Sequence, residues 1–134
     1  MTRIAQIEGV GAASAQKLDA VGIKTVEALL EKGATTKGRK EIAEKSGISE
    51  KLILEWVNHA DLQRIPGVGG QYSDLLEAAG VDTVPEMAAR NAANLCKKLE
   101  EVNAAKKLVR KLPTEAQVAD WIAQAKKLPR MVSH

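Results

Sequence analysis

The hydrophobic positions of this chain recur at helical spacing, and they do so twice. After Gly11, apolar residues fall at Ala15, Leu18 and Val21. After Gly69 they fall at Leu75, Leu76 and Ala79. Spacings of three and four place such residues on one face of a helix. Each stretch stops at a glycine, Gly22 or Gly80, suited to the left-handed residue that ends many helices. Thr25 and Thr83 stand where N-caps of a further short helix belong, with Pro85 in the first turn of the second one. Ser49 opens a longer helix reaching about Asp61, with Leu52, Ile53, Trp56 and Val57 on one face. Thr114, after Pro113, opens its counterpart with Val118, Trp121, Ile122 and Ala125. No stretch alternates with period two for the length of a strand, so the expected class is all-α.

The two halves also share residues. At an offset of 58, Ile7, Gly9, Val10 and Gly11 match Ile65, Gly67, Val68 and Gly69; Leu18, Gly22, Thr25 and Val26 match Leu76, Gly80, Thr83 and Val84. A second echo, at an offset of 65, pairs Glu55-Trp56-Val57 with Asp120-Trp121-Ile122. The change of offset implies an insertion of about seven residues near 91–112. The reading is therefore a duplicated unit: a first repeat over 1–64, and a second over 65–134 with a basic helical insertion at about 91–112.

Composition supports helix. Phe is absent and only Trp56, Tyr72 and Trp121 are aromatic, so the core falls to Leu, Ile, Val and Ala. Ala and Leu are strong helix formers. The 45% hydrophobic and 28% charged residues argue against disorder. A net charge of +3 permits a nucleic-acid partner without demanding one. That charge is uneven: residues 65–90 hold Arg90 against four acids, whereas residues 91–134 hold nine Lys or Arg against four acids. The lone Cys96 excludes an internal disulfide framework and suits a reducing compartment, and its plainest reading is a small buried or half-buried thiol. No signal-like segment or membrane-length apolar run is present, which points to a cytoplasmic protein without a membrane partner.

The two Gly-Val-Gly turns carry the candidate chemistry. Two glycines around one residue permit a tight reversal, and they remove the β-carbons that would hold a ligand away from the backbone. The central Val can tuck beneath the turn. The next N–H groups, at Ala12 and Ala13 or at Gly70 and Gln71, open a helix whose free amides favour an anionic oxygen. This pattern, carried by Ile7, Gly9, Val10, Gly11, Leu18, Gly22 and Ile23 and again by Ile65, Pro66, Gly67, Val68, Gly69, Leu76, Gly80 and Val81, is similar to the helix-hairpin-helix superfamily. The resemblance implies a SAM-like arrangement in which duplicated hairpin units pack as one compact helical domain. It also implies that each turn grips a DNA phosphate without reading sequence. The whole chain further resembles a family of small bacterial tandem helix-hairpin-helix proteins of unknown function, most closely over residues 56–69.

On these grounds the candidate nucleic-acid-binding residues are Gly9, Val10, Gly11, Ala12, Gly67, Val68, Gly69 and Gly70. Lys17, Lys24, Lys37, Arg39 and Lys40 are expected to supply charge. Cations stand near the first turn, though beside Glu8 and Asp19, while none lies between Ile65 and Ala89. Phosphate binding is accordingly expected to be stronger at the first turn. Lys106, Lys107, Arg110 and Lys111 read as one basic helical stripe, more simply a solvated face than a site. Residues 42–56 resemble a helix-turn-helix, but Ser49, Glu50, Lys51 and Leu54 are a poor set for base edges, and the repeat already accounts for that helix.

Catalytic assemblies are missing. His59 and His134 have no ligand partner at metal spacing, no GxxxxGK[ST] loop occurs, and no cofactor is expected. The chain reads as a non-enzymatic binder of nucleic-acid backbone. The competing reading is a protein-interaction or scaffold module in which the turns are purely structural, with an unidentified protein as partner.

Overall fold

The computed structural model describes Ile4 and residues 10–133, and the protein is all-α. Among the described residues the helices are α1 (Gly11–Ala20), α2 (Val26–Lys32), α3 (Thr36–Ser46), α4 (Glu50–Leu62), α5 (Gly70–Ala78), α6 (Val84–Ala88), α7 (Ala92–Lys106) and α8 (Glu115–Lys127). No helix among them is long and apolar enough to cross a membrane. The helices gather into two compact units, Met1–Asp61 with Met131–His134, and Leu62–Arg130.

Each unit has its own aliphatic core. In the first, Leu18 of α1, Leu29 and Leu30 of α2, Ile42 of α3 and Ile53, Trp56 and Val57 of α4 pack together, joined by Val132. In the second, Leu75 and Leu76 of α5, Met87 of α6, Leu95 and Leu99 of α7, and Val118, Trp121 and Ile122 of α8 do the same. Leu52 departs from the expected face of α4 and is 42% exposed. Ile53 begins the buried stripe instead, and Trp56, Val57 and Ala60 continue it at helical spacing.

The helix ends follow from local chemistry. Gly22 and Gly80 take φ values of 87° and 95°. Ile23 N–H then reaches back to the Leu18 carbonyl and Val81 N–H to that of Leu76, both at 2.9 Å. This is the paired closure that satisfies the last carbonyls of a helix. A cation reinforces each glycine: Lys32 Nζ donates to the Gly22 carbonyl at 3.3 Å, and Arg90 Nη2 to the Gly80 carbonyl at 3.0 Å. Lys32 and Arg90 are also 58 positions apart, so the repeat extends to this contact.

At the N-termini, Thr25 Oγ1 accepts from Ala28 N–H, whereas Thr83 holds the N-cap position of α6 without a side-chain cap. Thr114 and Gln117 form a reciprocal capping box on α8. Because α8 carries Trp121 into the core, Thr114→Ala is expected to cost about 1 kcal/mol. Chemical denaturation followed by circular dichroism measures that loss, and Thr114→Ser should restore most of it.

Candidate nucleic-acid interface

The second Gly-Val-Gly turn is built on α8. Gly67 adopts φ 93°, and a β-carbon there would lie 3.1 Å from the Trp121 indole nitrogen. Only glycine combines that backbone conformation with such close approach to the ring. Val68 is buried beneath the turn, and its N–H closes back onto the Ile65 carbonyl at 3.0 Å. Gly69 is extended, with φ −95° and ψ −169°, and serves as the N-cap of α5. No side chain caps this helix. The N–H groups of Gly70, Gln71 and Tyr72, in its first turn, therefore remain available to an acceptor from outside.

Facing this turn is the chain that follows α7. Lys107 takes a left-handed conformation, φ 52°, and ends the helix, so Arg110 and Lys111 leave the expected helical stripe and lie in the connection to α8. That connection spans 107–114, where its counterpart between α3 and α4 is only 47–49. The inserted residues bring two cations to the turn. Gly67, Gly69, Gly70, Gln71, Tyr72, Val109, Arg110 and Lys111 together line an open hollow of about 470 Å³. Among the described residues the Arg110 and Lys111 side chains enter no ion pair, and both residues are exposed. Tyr72 packs its ring against Trp121, centroids 5.3 Å apart, and donates its hydroxyl hydrogen to the Lys111 carbonyl at 3.0 Å. The turn without nearby cations in sequence thus has two in space. Counted in space, the second turn does not lack cations, contrary to what local charge along the chain had suggested.

The first turn is arranged differently. Gly9, like Ile7 and Glu8, lies outside the described residues. Val10 is buried with helical dihedrals, and it is Gly11 that takes positive φ, 70°, where the matching Gly69 is extended. Ala12 and Ala13 are exposed at the start of α1, which also has no side-chain cap. Lys17 lies exposed in the last turn of α1 rather than the first. Lys24 is exposed with its ammonium 3.9 Å from Asp19, and Lys37 and Lys40 are exposed on α3. A hollow of about 350 Å³ in this unit is lined by Val21, Ile23, Lys32, Gly38, Glu41, Ile42 and Lys45, and it includes none of the candidate residues.

Arg39 is a correction. Expected among the cations that supply charge, it is instead 5% exposed. Its Nη1 donates to the Gly33 carbonyl at 2.8 Å, and its Nη2 to Thr36 Oγ1 at 3.1 Å and to the Ser133 carbonyl at 2.6 Å. Burial draws its pKa down, with the charge of Glu50 opposing. With three of its five N–H donors engaged inside the first unit and the side chain buried, Arg39 is turned away from the surface where a phosphate would arrive. Cys96 is half-buried on α7; burial pushes its thiol pKa up, and Glu100 and Glu115 add to the rise. It has the character of an unreactive thiol.

Comparison with curated proteins, and with solved structures, returns no match. A family model does match, and it spans both turns and the eight helices among the described residues. Residues 8–128 fit the model described as "Domain of unknown function (DUF4332)", and the chain belongs to that family.

Proposed function

We propose that this protein binds the sugar–phosphate backbone of nucleic acid without reading sequence, with the second Gly-Val-Gly turn as its principal grip. In this reading the paired turns are helix-hairpin-helix elements. The observation that carries it is the hollow shared by the uncapped start of α5 and the unpaired Arg110 and Lys111. A phosphate oxygen there meets backbone N–H groups, the positive end of a helix dipole and two cations together. Glycine at 67, 69 and 70 leaves the backbone uncovered where the anion approaches. Backbone N–H groups and cations that meet phosphate oxygens position a nucleic acid without specifying its bases. Two to four phosphate contacts give affinity on the order of micromolar to millimolar at physiological salt.

A fluorescence titration of a short DNA duplex across a salt series tests this. Wild-type protein should bind, with affinity falling as salt rises. Arg110→Ala and Lys111→Ala should each weaken binding about fivefold to tenfold at low salt, and each lost phosphate contact should flatten the salt slope by about 0.9. Absence of binding at low salt, or affinity unchanged in both variants, refutes the proposal. In that case the scaffold reading gains.

A further inference from the structure

We infer that Asn103 is a positioning residue for the phosphate grip: its side-chain amide presets the loop that holds Arg110 and Lys111 against the start of α5. This rests on the function proposed above and adds a component that no cation count would find. Asn103 lies in the last turns of α7, where its own carbonyl accepts from Lys107 N–H at 2.8 Å as the helix ends. Beyond Lys107 the chain has left the helix and its regular ladder of bonds. Asn103 replaces that ladder. Its Nδ2 donates to the Val109 carbonyl at 3.1 Å, and its Oδ1 accepts from Val109 N–H at 3.0 Å.

The two bonds engage both polar groups of one residue, much as a neighbouring strand would. They require a donor and an acceptor side by side on a short stem, which among side chains is the chemistry of a carboxamide. Asp would accept but not donate, and Ser presents a single oxygen. Val109, held this way, turns its side chain into the core and is 8% exposed. Arg110 and Lys111 follow directly. On the far side the Tyr72 hydroxyl holds the Lys111 carbonyl. The loop is thus fastened from α7 before Arg110 and from α5 after it.

Arg110 and Lys111 follow Lys106 and Lys107 within six residues of chain, and none of the four enters an ion pair among the described residues. Four like charges in so short a stretch favour an incoming anion. Ordering the loop before binding removes an entropy cost that the complex would otherwise bear.

The test is the same duplex titration across salt, applied to wild type, Asn103→Ala, Tyr72→Phe and Arg110→Ala, with circular dichroism and thermal melts run on each. Tyr72→Phe keeps the ring on Trp121 and removes one hydrogen bond, so it stays informative should Asn103→Ala unfold. Loss of preorganisation should weaken binding about threefold to tenfold in both variants. The salt slope should stay near that of wild type, since both cations remain; Arg110→Ala should lower affinity and slope together. A purely structural role would lower the melting temperature and leave low-temperature affinity untouched. Folded Asn103→Ala and Tyr72→Phe proteins that bind like wild type, beside a weakened Arg110→Ala, overturn this inference and leave the proposed function standing. Wild-type protein that fails to bind overturns both.

Discussion

Replacing Arg39 with alanine is expected to destabilise the first unit by about 3–5 kcal/mol and to leave nucleic-acid binding by the folded protein unchanged. The guanidinium sits between α3 and the chain on either side of it, donating to Gly33, Thr36 and Ser133. Gly33 is buried, so its carbonyl would lose a charged donor with little access to water. A buried acceptor left unsatisfied costs about 1–3 kcal/mol, and hydrogen bonds to charged groups stand at the upper end of their range. The loss would also slacken residues 131–133, which Arg39 ties to the first unit together with the Ser133 N–H bond to the Ala34 carbonyl at 2.8 Å. Val132, buried in the same core, depends on that attachment. Arg39→Lys should recover only part of the stability, because an ammonium cannot span the fork of acceptors that a planar guanidinium reaches. Urea denaturation gives the stabilities, and duplex titration well below the unfolding midpoint gives the binding. An Arg39→Ala protein with the wild-type midpoint and weakened binding would restore Arg39 as a surface phosphate contact and remove it from the core.

Arg39 also shows where sequence reading stops. The helix ends at Gly22 and Gly80 and the caps at Thr25 and Thr114 were legible because their partners lie within five residues, inside the reach of a local pattern. Arg39 bonds a carbonyl 94 positions away, and Lys37-Gly38-Arg39-Lys40 offers no sign that its third member turns inward. Leu52 failed for a different reason. It neighbours the apolar stripe of α4, and spacing alone leaves the edge of such a stripe undecided by one residue. The cations at the second turn were missed because charge was counted along the chain. Its cations come from Arg110 and Lys111, about forty residues on. One signal did point there: the change of repeat offset places extra residues near 91–112, and cations gather in the same stretch. What that pattern could not supply is the left-handed Lys107, which takes Arg110 and Lys111 off the helix and sends the loop back toward α5.

Gly69 allows binding to be separated from stability, because there the two should move in opposite directions. Substitution at Gly67 cannot do this, since φ 93° and the Trp121 contact would make any side chain there a folding defect. Gly69 has φ −95° and ψ −169°, backbone open to any residue, and a β-carbon on it meets nothing within 4 Å. It is also the N-cap of a helix that lacks a side-chain cap. Aspartate at this position can accept from the N–H of Gln71 or Tyr72, and its charge suits the positive end of the α5 dipole. Gly69→Asp should therefore hold or raise stability, by a few tenths of a kcal/mol. The same carboxylate occupies the amides that the proposed function assigns to phosphate and places a negative charge in the hollow lined by Arg110 and Lys111. Loss of these charge-assisted contacts should weaken duplex binding by about 2 kcal/mol, roughly thirtyfold. Gly69→Asn, which caps without charge, should fall between that variant and wild type. Melting curves and titrations on the three proteins decide the matter. A stably folded Gly69→Asp that still binds duplex DNA like wild type would mean that phosphate does not enter at the start of α5, whatever else this surface holds.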